Sequence, residues 1–318
     1  MNNITNIDEK LTGMKSVGIA GHVRPDGDCV GSTLAIYNYI RTYAPQTDVR
    51  LYLEPIPNIF KFLNYSGEIR NEYTDEIKFD LFIALDCGNK ERLGNATKYF
   101  EHADHTLCID HHVSNQAFAD DNYIFPDASS TCELIFELMD KEKITKDIAE
   151  CLYTGIVHDT GVFKYSCTSS KTMQAAGILM DKGIDFSKIV DETFFTKTYR
   201  QNRVMGQVLL DSRLYLDEKV IIGTLTKKQM EEFQVLPKHM EGIVSQLRVT
   251  KDTELAVFLY QNEDGTYKVS FRVNGDFNAA ELALHFGGGG HVKAAGCTMG
   301  KCLEDNIEQL LQEISKRL

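Results

Sequence analysis

The sequence predicts an α/β protein with an N-terminal parallel sheet flanked by helices, a smaller α+β domain after it, and a cleft where the two meet. Three observations carry this expectation. Short β-rich apolar runs alternate with helical patterns through the first half, the order that a parallel sheet with crossover helices requires. Beyond about residue 215 strand-like runs follow one another with a turn signal at Asp264-Gly265 and a helix behind them, as in an α+β unit. The 318 residues also exceed one ordinary domain, at roughly 150 residues each.

In chain order, apolar runs predict strands over 16–20, 49–53, 80–85 and 105–109. Between the first two, Val30, Leu34, Ile36, Tyr37 and Ile40 mark an amphipathic helix over 29–43. A second helix covers 130–140, with Ser129, Ser130 or Thr131 as its N-cap and Glu133 close behind. A third runs over 146–158 and stops near Gly161. The sheet domain is assigned to 1–186. Polar composition with scattered Phe, Met and Leu makes 187–214 a helical connector, and 215–318 is the second domain. Its strands fall at 220–226, 254–261 and 267–273, and a helix over 278–286 leads into four glycines.

Composition excludes several classes of function. Hydrophobic residues at 43% and charged residues at 25% rule out a chain disordered as a whole. The 34 basic against 46 acidic residues give a net charge of −12, which argues against tracking long duplex nucleic acid by counterion release. A short or small phosphorylated ligand remains compatible. No run approaches the roughly 18 apolar residues of a membrane span, and MNNITNIDEK lacks the basic start and apolar stretch of a signal peptide. The expected location is the cytoplasm, with no membrane partner. None of the eight cysteines is paired as CxxC and most sit in apolar runs, so they read as small buried hydrophobes.

Chemistry concentrates where strands are expected to end. His22, Asp26 and Asp28 lie in a loop between the first strand and first helix, bent by Pro25 and Gly27, and open α/β sheets build sites at that edge. Asp86 ends the run Leu81-Phe82-Ile83-Ala84-Leu85, and Asp110-His111-His112 ends Thr106-Leu107-Cys108-Ile109. Asp159 ends a helix, where the macrodipole disfavours a carboxylate. Taken singly, Asp86 reads as a cap or turn residue and the 21–28 loop as an Asx turn. Taken together, Asp26, Asp28, Asp86 and Asp159 would repel one another without cations. Two divalent ions balance four negative charges, and with His22 and His111 the six ligands suit a pair bridged by one carboxylate. Mixed oxygen and imidazole donors without thiolate favour Mn²⁺ over structural Zn²⁺, and the histidines make Mg²⁺ the weaker choice.

The glycine run Gly287, Gly288, Gly289 and Gly290 is followed by His291 and Lys293. It reads as a backbone nest for an anion rather than a mobile linker. No Gly-Lys-Ser/Thr follows, so it is not a Walker A loop. His102, His105, His239 and His285 read as surface residues, and Ser129-Ser130-Thr131 as a helix cap in preference to a donor of hydroxyls and amides to phosphate.

The motifs GHVRPDGDCVGS, ALDCG, IDHH, VHDTG and FGGGGHVKAAG occur in that order. On them the chain resembles the DHH phosphoesterases with a DHHA1 C-terminal domain, most of all the bacterial nanoRNase/pAp phosphatase branch. The resemblance implies that His22, Asp26 and Asp86 hold one Mn²⁺ and that Asp28, Asp86, His111 and Asp159 hold the other, with Asp86 as the bridge. It implies that His112 faces the scissile phosphate and that Asp110 orients the motif. Arg272, the four glycines and His291 would grip the nucleotide's terminal phosphate. The implied activity is two-metal in-line hydrolysis of very short oligoribonucleotides to nucleoside 5′-monophosphates, and removal of the 3′-phosphate of adenosine 3′,5′-bisphosphate (pAp). Related proteins are often dimers, so a homodimer is an implied assembly. Other readings are a phosphodiesterase of pApA or cyclic dinucleotides, an inorganic pyrophosphatase or polyphosphatase, and, last, a non-catalytic nucleotide-binding module. Two positions depart from the family pattern, Cys29 where a small residue is expected and His158 where a hydroxyl is common.

Overall fold

Apolar runs of five residues are too short for core helices and satisfy their backbone groups by pairing. In the computed structural model, which describes residues 4–318, they form the centre of a five-stranded sheet. The elements follow in the order α1 (Asp8–Leu11), β1 (Ser16–Ala20), α2 (Gly27–Tyr43), β2 (Asp48–Tyr52), β3 (Leu81–Leu85), α3 (Thr97–His102), β4 (Thr106–Asp110), β5 (Asp121–Ile124), α4 (Thr131–Leu138), α5 (Lys146–Asp159), α6 (Ser170–Asp181) and α7 (Phe186–Val190). Every strand pairing is parallel, and helices cover both faces, so β3 is buried along its whole length. The four expected strands all form. β5 was not expected, because Asp-Asn-Tyr-Ile carries one buried side chain, Tyr123, and no alternation.

The sheet order β2-β1-β3-β4-β5 reverses direction at β1. The switch point between β1 and β3 opens a crevice at the strands' carboxyl ends. Register aligns what emerges there. Ala20 lies opposite Ala84, and Ala84 opposite Cys108, so His22, Asp86 and Asp110 leave three strands at one level.

Helix α2, which carries Asp28, packs against α5, which carries Asp159, across glycines. A Cβ on Gly31 would stand 2.5 Å from the Cys151 carbonyl, and one on Gly155 would meet the Cys132 thiol and lie 2.8 Å from Asp28 Oδ1. Gly155→Ala is therefore expected to destabilise the protein by about 1–3 kcal/mol, the usual cost of overpacking. Denaturant unfolding of the variant against the parent checks this.

The chain divides into two compact units, the first ending at Thr196 and the second running over Lys197–Leu318. The segment 187–214, expected as one helical connector, is helical in two stretches that end at Phe195 and Asp211, and it enters β6 at Arg213. Ile189 joins the first core, while Val204 and Val208 join a core of the second.

The second unit contains α8 (Tyr199–Asp211), β6 (Arg213–Tyr215), β7 (Val220–Leu225), α9 (Lys227–Phe233), α10 (Ile243–Arg248), β8 (Leu255–Gln261), β9 (Tyr267–Val273), α11 (Ala279–His285), β10 (Gly289–His291), β11 (Ala294–Met299) and α12 (Leu303–Ile314). Its sheet runs β10-β11-β9-β8-β7-β6, antiparallel except for β7 with β8. Val269, Phe271 and Val273 of β9 face a core that includes Leu282, Leu310 and Ile314. The alternate residues Lys268, Ser270 and Arg272 lie on the other face and are exposed or half-buried.

Candidate metal centre and phosphate-binding face

The β1–α2 loop supplies His22 and the N-cap Asp26, and Asp28, expected in that loop, stands in the first turn of α2, each held differently. Asp26 caps α2 with one oxygen, Oδ1 accepting from the amides of Asp28 and Cys29 at 3.2 Å each. Its other oxygen lies 3.6 Å from His22 Nε2. His22 is buried and its Nδ1 donates to the Val23 carbonyl at 2.9 Å, which leaves Nε2 as the nitrogen with a lone pair. Asp28 is fully buried and accepts from the amides of Thr131 (2.7 Å) and Cys132 (2.9 Å) at the start of α4. The helix N-terminus thus solvates a carboxylate that water does not reach.

Asp86 stands at the centre. Its backbone is left-handed, with φ 53°, a conformation that Asp and Asn tolerate better than other side chains. One oxygen, Oδ2, lies 3.4 Å from His22 Nε2, and the other, Oδ1, lies 3.6 Å from His111 Nε2. The two oxygens of one carboxylate therefore face two separate imidazoles. His111 Nε2 is also 3.9 Å from Asp28 and 3.1 Å from Asp159, and its Nδ1 faces the Ala128 carbonyl at 3.4 Å. The structure brings His22, Asp26, Asp28, Asp86, His111 and Asp159 together at one edge of the sheet.

His112 is oriented from behind. Its Nδ1 donates to Asp110 Oδ1 at 2.7 Å, and Asn115 donates to the other Asp110 oxygen at 2.6 Å and to the Cys87 carbonyl at 3.1 Å. The bond to Asp110 raises the His112 pKa against the opposing effect of burial, and Nε2 is left for a partner outside the pair.

Charge in this cluster is unbalanced by protein groups alone. Burial, with the negative charges of Asp86 and Asp159, pushes the Asp28 carboxyl well up. Burial and Asp86 also raise Asp159, although the bond with His111 opposes them. Burial alone would lower both imidazoles, yet the surrounding carboxylates lift His22 and His111 to about 10. Four carboxylates and two imidazole Nε2 atoms within reach of one another become, once a cation displaces the imidazole protons, a donor set for hard or borderline divalent ions. Asp28, His111 and Asp159 converge on one side of the cluster, and Asp86 converges with His111 and His112. Cys29 converges with His22 and Asp86, but burial raises its thiol far above the usual range, so it lines the site as a neutral group.

Sequence reasoning missed Thr131 and Asn115. The run Ser129-Ser130-Thr131 does cap α4, with Ser130 Oγ accepting from the Glu133 amide at 3.0 Å. The same run also reaches the acidic cluster, since the Thr131 hydroxyl donates to Asp86 Oδ1 at 3.2 Å. His158, beside Asp159, packs edge-on against Phe60 and bonds Thr193 at 2.9 Å.

In the second unit, Arg272 lies opposite Ala294, and Ala294 opposite His291. Arg272 and His291 thus share one row and one face, about 10 Å apart across two strand spacings. Lys268 and Ser270 extend that face along β9, and neither was singled out from sequence. The glycine run corrects an expectation. Gly287, at φ 72°, ends α11, with its amide on the Leu284 carbonyl and the Gly288 amide on the Ala283 carbonyl. This is a Schellman cap, so these two amides serve the helix and not an anion nest. Gly289, Gly290 and His291 pair with β11 as an edge strand, because a backbone without Cβ atoms can close on a neighbouring strand. A Cβ on Gly290 would lie 2.5 Å from Ala295 Cα.

Comparison with known proteins matches residues 16–156 to the DHH family, N-terminal domain, and residues 217–318 to the DHHA1 domain. The chain is 29% identical to the bifunctional oligoribonuclease and PAP phosphatase NrnA of Thermus thermophilus, over 94% of this chain and 89% of that one. It is also 29% identical to the Bacillus subtilis protein of the same name, over 87% of each. The crystal structure of an exopolyphosphatase-related protein from Bacteroides fragilis is similar with a TM-score of 0.87 at 27% identity, covering 96% of this chain and 94% of that one.

Proposed function

The chain belongs to the DHH family of phosphoesterases, with a DHHA1 domain behind the DHH domain, and from this premise we propose that it hydrolyses very short oligoribonucleotides to nucleoside 5′-monophosphates and removes the 3′-phosphate of pAp. The family's chemistry is metal-dependent, and the proposed ions are two Mn²⁺. The observation that carries this reading is Asp86, whose two oxygens face His22 and His111 separately, as a carboxylate shared between two cations must.

His22, Asp26 and Asp86 would hold one ion, and Asp28, Asp86, His111 and Asp159 the other. Bound there, such ions supply an acidified water and electrostatic stabilisation of phosphate oxygens. The remaining work falls to the protein. His112, whose hold on a proton the bond to Asp110 strengthens, would offer an Nε2 proton to a phosphate oxygen or to the leaving oxygen. Asp110 and Asn115 hold that ring in place. Arg272 and His291 would bind a second phosphate of the substrate, so that binding energy away from the cut positions it. The relatives' names carry the choice of nucleotide over bare pyrophosphate. Among the described residues no helix is long and apolar enough to cross a membrane, and all eight cysteines are free, six of them buried, which suits action in the reducing cytoplasm.

A panel of di- to pentaribonucleotides, pAp, pApA, pyrophosphate and a cyclic dinucleotide, each with Mn²⁺ and with EDTA, tests the proposal. Turnover of the short RNAs and pAp should stop in EDTA and return with Mn²⁺ better than with Mg²⁺. Pyrophosphate as the best substrate would replace this reading with a pyrophosphatase. No turnover of any compound would leave a binding module.

A further inference from the structure

Thr131 contacts two of the acidic side chains at the centre without being a ligand candidate itself. It is fully buried. Its amide donates to Asp28 Oδ2 at 2.7 Å and its hydroxyl to Asp86 Oδ1 at 3.2 Å. The terminal torsion of an Asp side chain is broad and soft, so nothing intrinsic to Asp86 keeps its oxygens apart toward His22 and His111. A turn about that torsion would swing both oxygens out of the line between the imidazoles. Cross-strand register places the Asp86 backbone, but only a donor on the carboxylate holds its plane.

We propose that Thr131 is a positioning residue that keeps Asp86 in its bridging orientation and thereby sets the affinity for the second cation. This rests on the two-cation reading above. A carboxylate oxygen has two lone pairs. The Thr131 hydroxyl occupies one on Oδ1, the oxygen that lies 3.6 Å from His111 Nε2 and 3.6 Å from His112 Nδ1. The Oδ2 side, shared with His22, receives no proton from Thr131. Loss of the hydroxyl therefore bears first on the His111 side.

Thr131 is itself braced. Ser130 Oγ caps the helix that begins at Thr131, and Glu133 accepts from the Ser129 amide at 3.2 Å, from the Ser129 hydroxyl, and from Thr172 of α6 at 2.8 Å. A buried carboxylate thus ties the start of α4 to the start of α6. The hydroxyl is fixed from behind before it meets Asp86, which is how an outer residue comes to tune an ion site.

The test compares Thr131→Val, which keeps shape and removes the donor, with Thr131→Ser, which keeps the donor. Calorimetric Mn²⁺ titration of the full chain is the main readout. The parent should bind two ions. Thr131→Val should bind the first as the parent does and the second about tenfold or more weakly, the scale seen when an outer partner of a metal ligand is lost. Thr131→Ser should restore it. Turnover should show a lower kcat with unchanged KM for pAp at saturating first ion. Equal affinity for both ions in Thr131→Val, or failure of Thr131→Ser to restore the second step, overturns the role of the hydroxyl. If Thr131→Val does not fold, Thr131→Ser against Thr131→Ala decides by the same titration. A parent that binds fewer than two ions refutes the two-cation reading instead.

Discussion

Asp86→Asn abolishes turnover of every phosphoester while leaving the fold in place. Asn keeps the left-handed backbone that Asp86 adopts at φ 53°, which alanine would strain, and it retains an oxygen to accept from Thr131. What it removes is the charge shared between the His22 and His111 sides. On the proposed two-ion reading a lost bridge would disable both ion sites at once, so the expected fall in kcat is on the order of a thousandfold or more, at or beyond the cost of removing one oxyanion donor. Stability should move the other way. Asp86 is one of the charges that, with burial, raise Asp28 and Asp159, so in EDTA the neutral variant should melt at or above the temperature of the parent, as when a strained active site is relaxed. Steady-state kinetics on pAp and a diribonucleotide, with melting curves in EDTA, check both halves. Turnover within tenfold of the parent would show that Asp86 bridges nothing essential.

Arg272→Ala weakens substrates that carry a second phosphate and spares the chemical step. Arg272 stands on β9 between β8 and β11, half-buried, with one guanidinium nitrogen donating to the Phe271 carbonyl at 2.9 Å. That bond stiffens the side chain on a face that it shares with Ala294 and His291. A charge-assisted bond to phosphate contributes about 1.5–3 kcal/mol, so KM for pAp and for 5′-phosphorylated dinucleotides should rise ten- to a hundredfold, each tenfold being about 1.4 kcal/mol. Arg272→Lys should recover part of this only, because an ammonium lacks the planar fork. A simple aryl phosphate without a second phosphate should be hydrolysed equally by the parent and both variants. Unchanged KM on pAp would remove Arg272 from substrate binding.

Much of the first unit was legible because an apolar run of five residues followed by a polar cluster has few other readings. The strands leading to His22, Asp86 and His111 are of this kind, and these three side chains meet. β5 was not legible, since Asp-Asn-Tyr-Ile has no strand pattern of its own and is held by β4. α12 has a clear pattern in the sequence. Leu303, Ile307, Leu310, Leu311 and Ile314 repeat at helical spacing; Leu310 and Ile314 are buried in the second unit's core and the other three pack against it. The glycine run misled in part, because consecutive glycines suit an anion nest, a helix cap and an edge strand equally. Only the bonds to Leu284 and Ala283 decide among these.

By itself the chain's order of residues determined which side chains had to gather, for four carboxylates and two imidazoles at strand and helix ends are tolerable only in company with positive charge. It did not determine how they face one another. That Asp86 turns one oxygen to each imidazole, and that Thr131 reaches it from 45 positions along the chain and Asp28 from 103, was decided by the folded structure. The reason is that rotation of a carboxylate about its last bond costs little locally. Its direction is therefore set by whichever donors the packing of distant helices brings within reach.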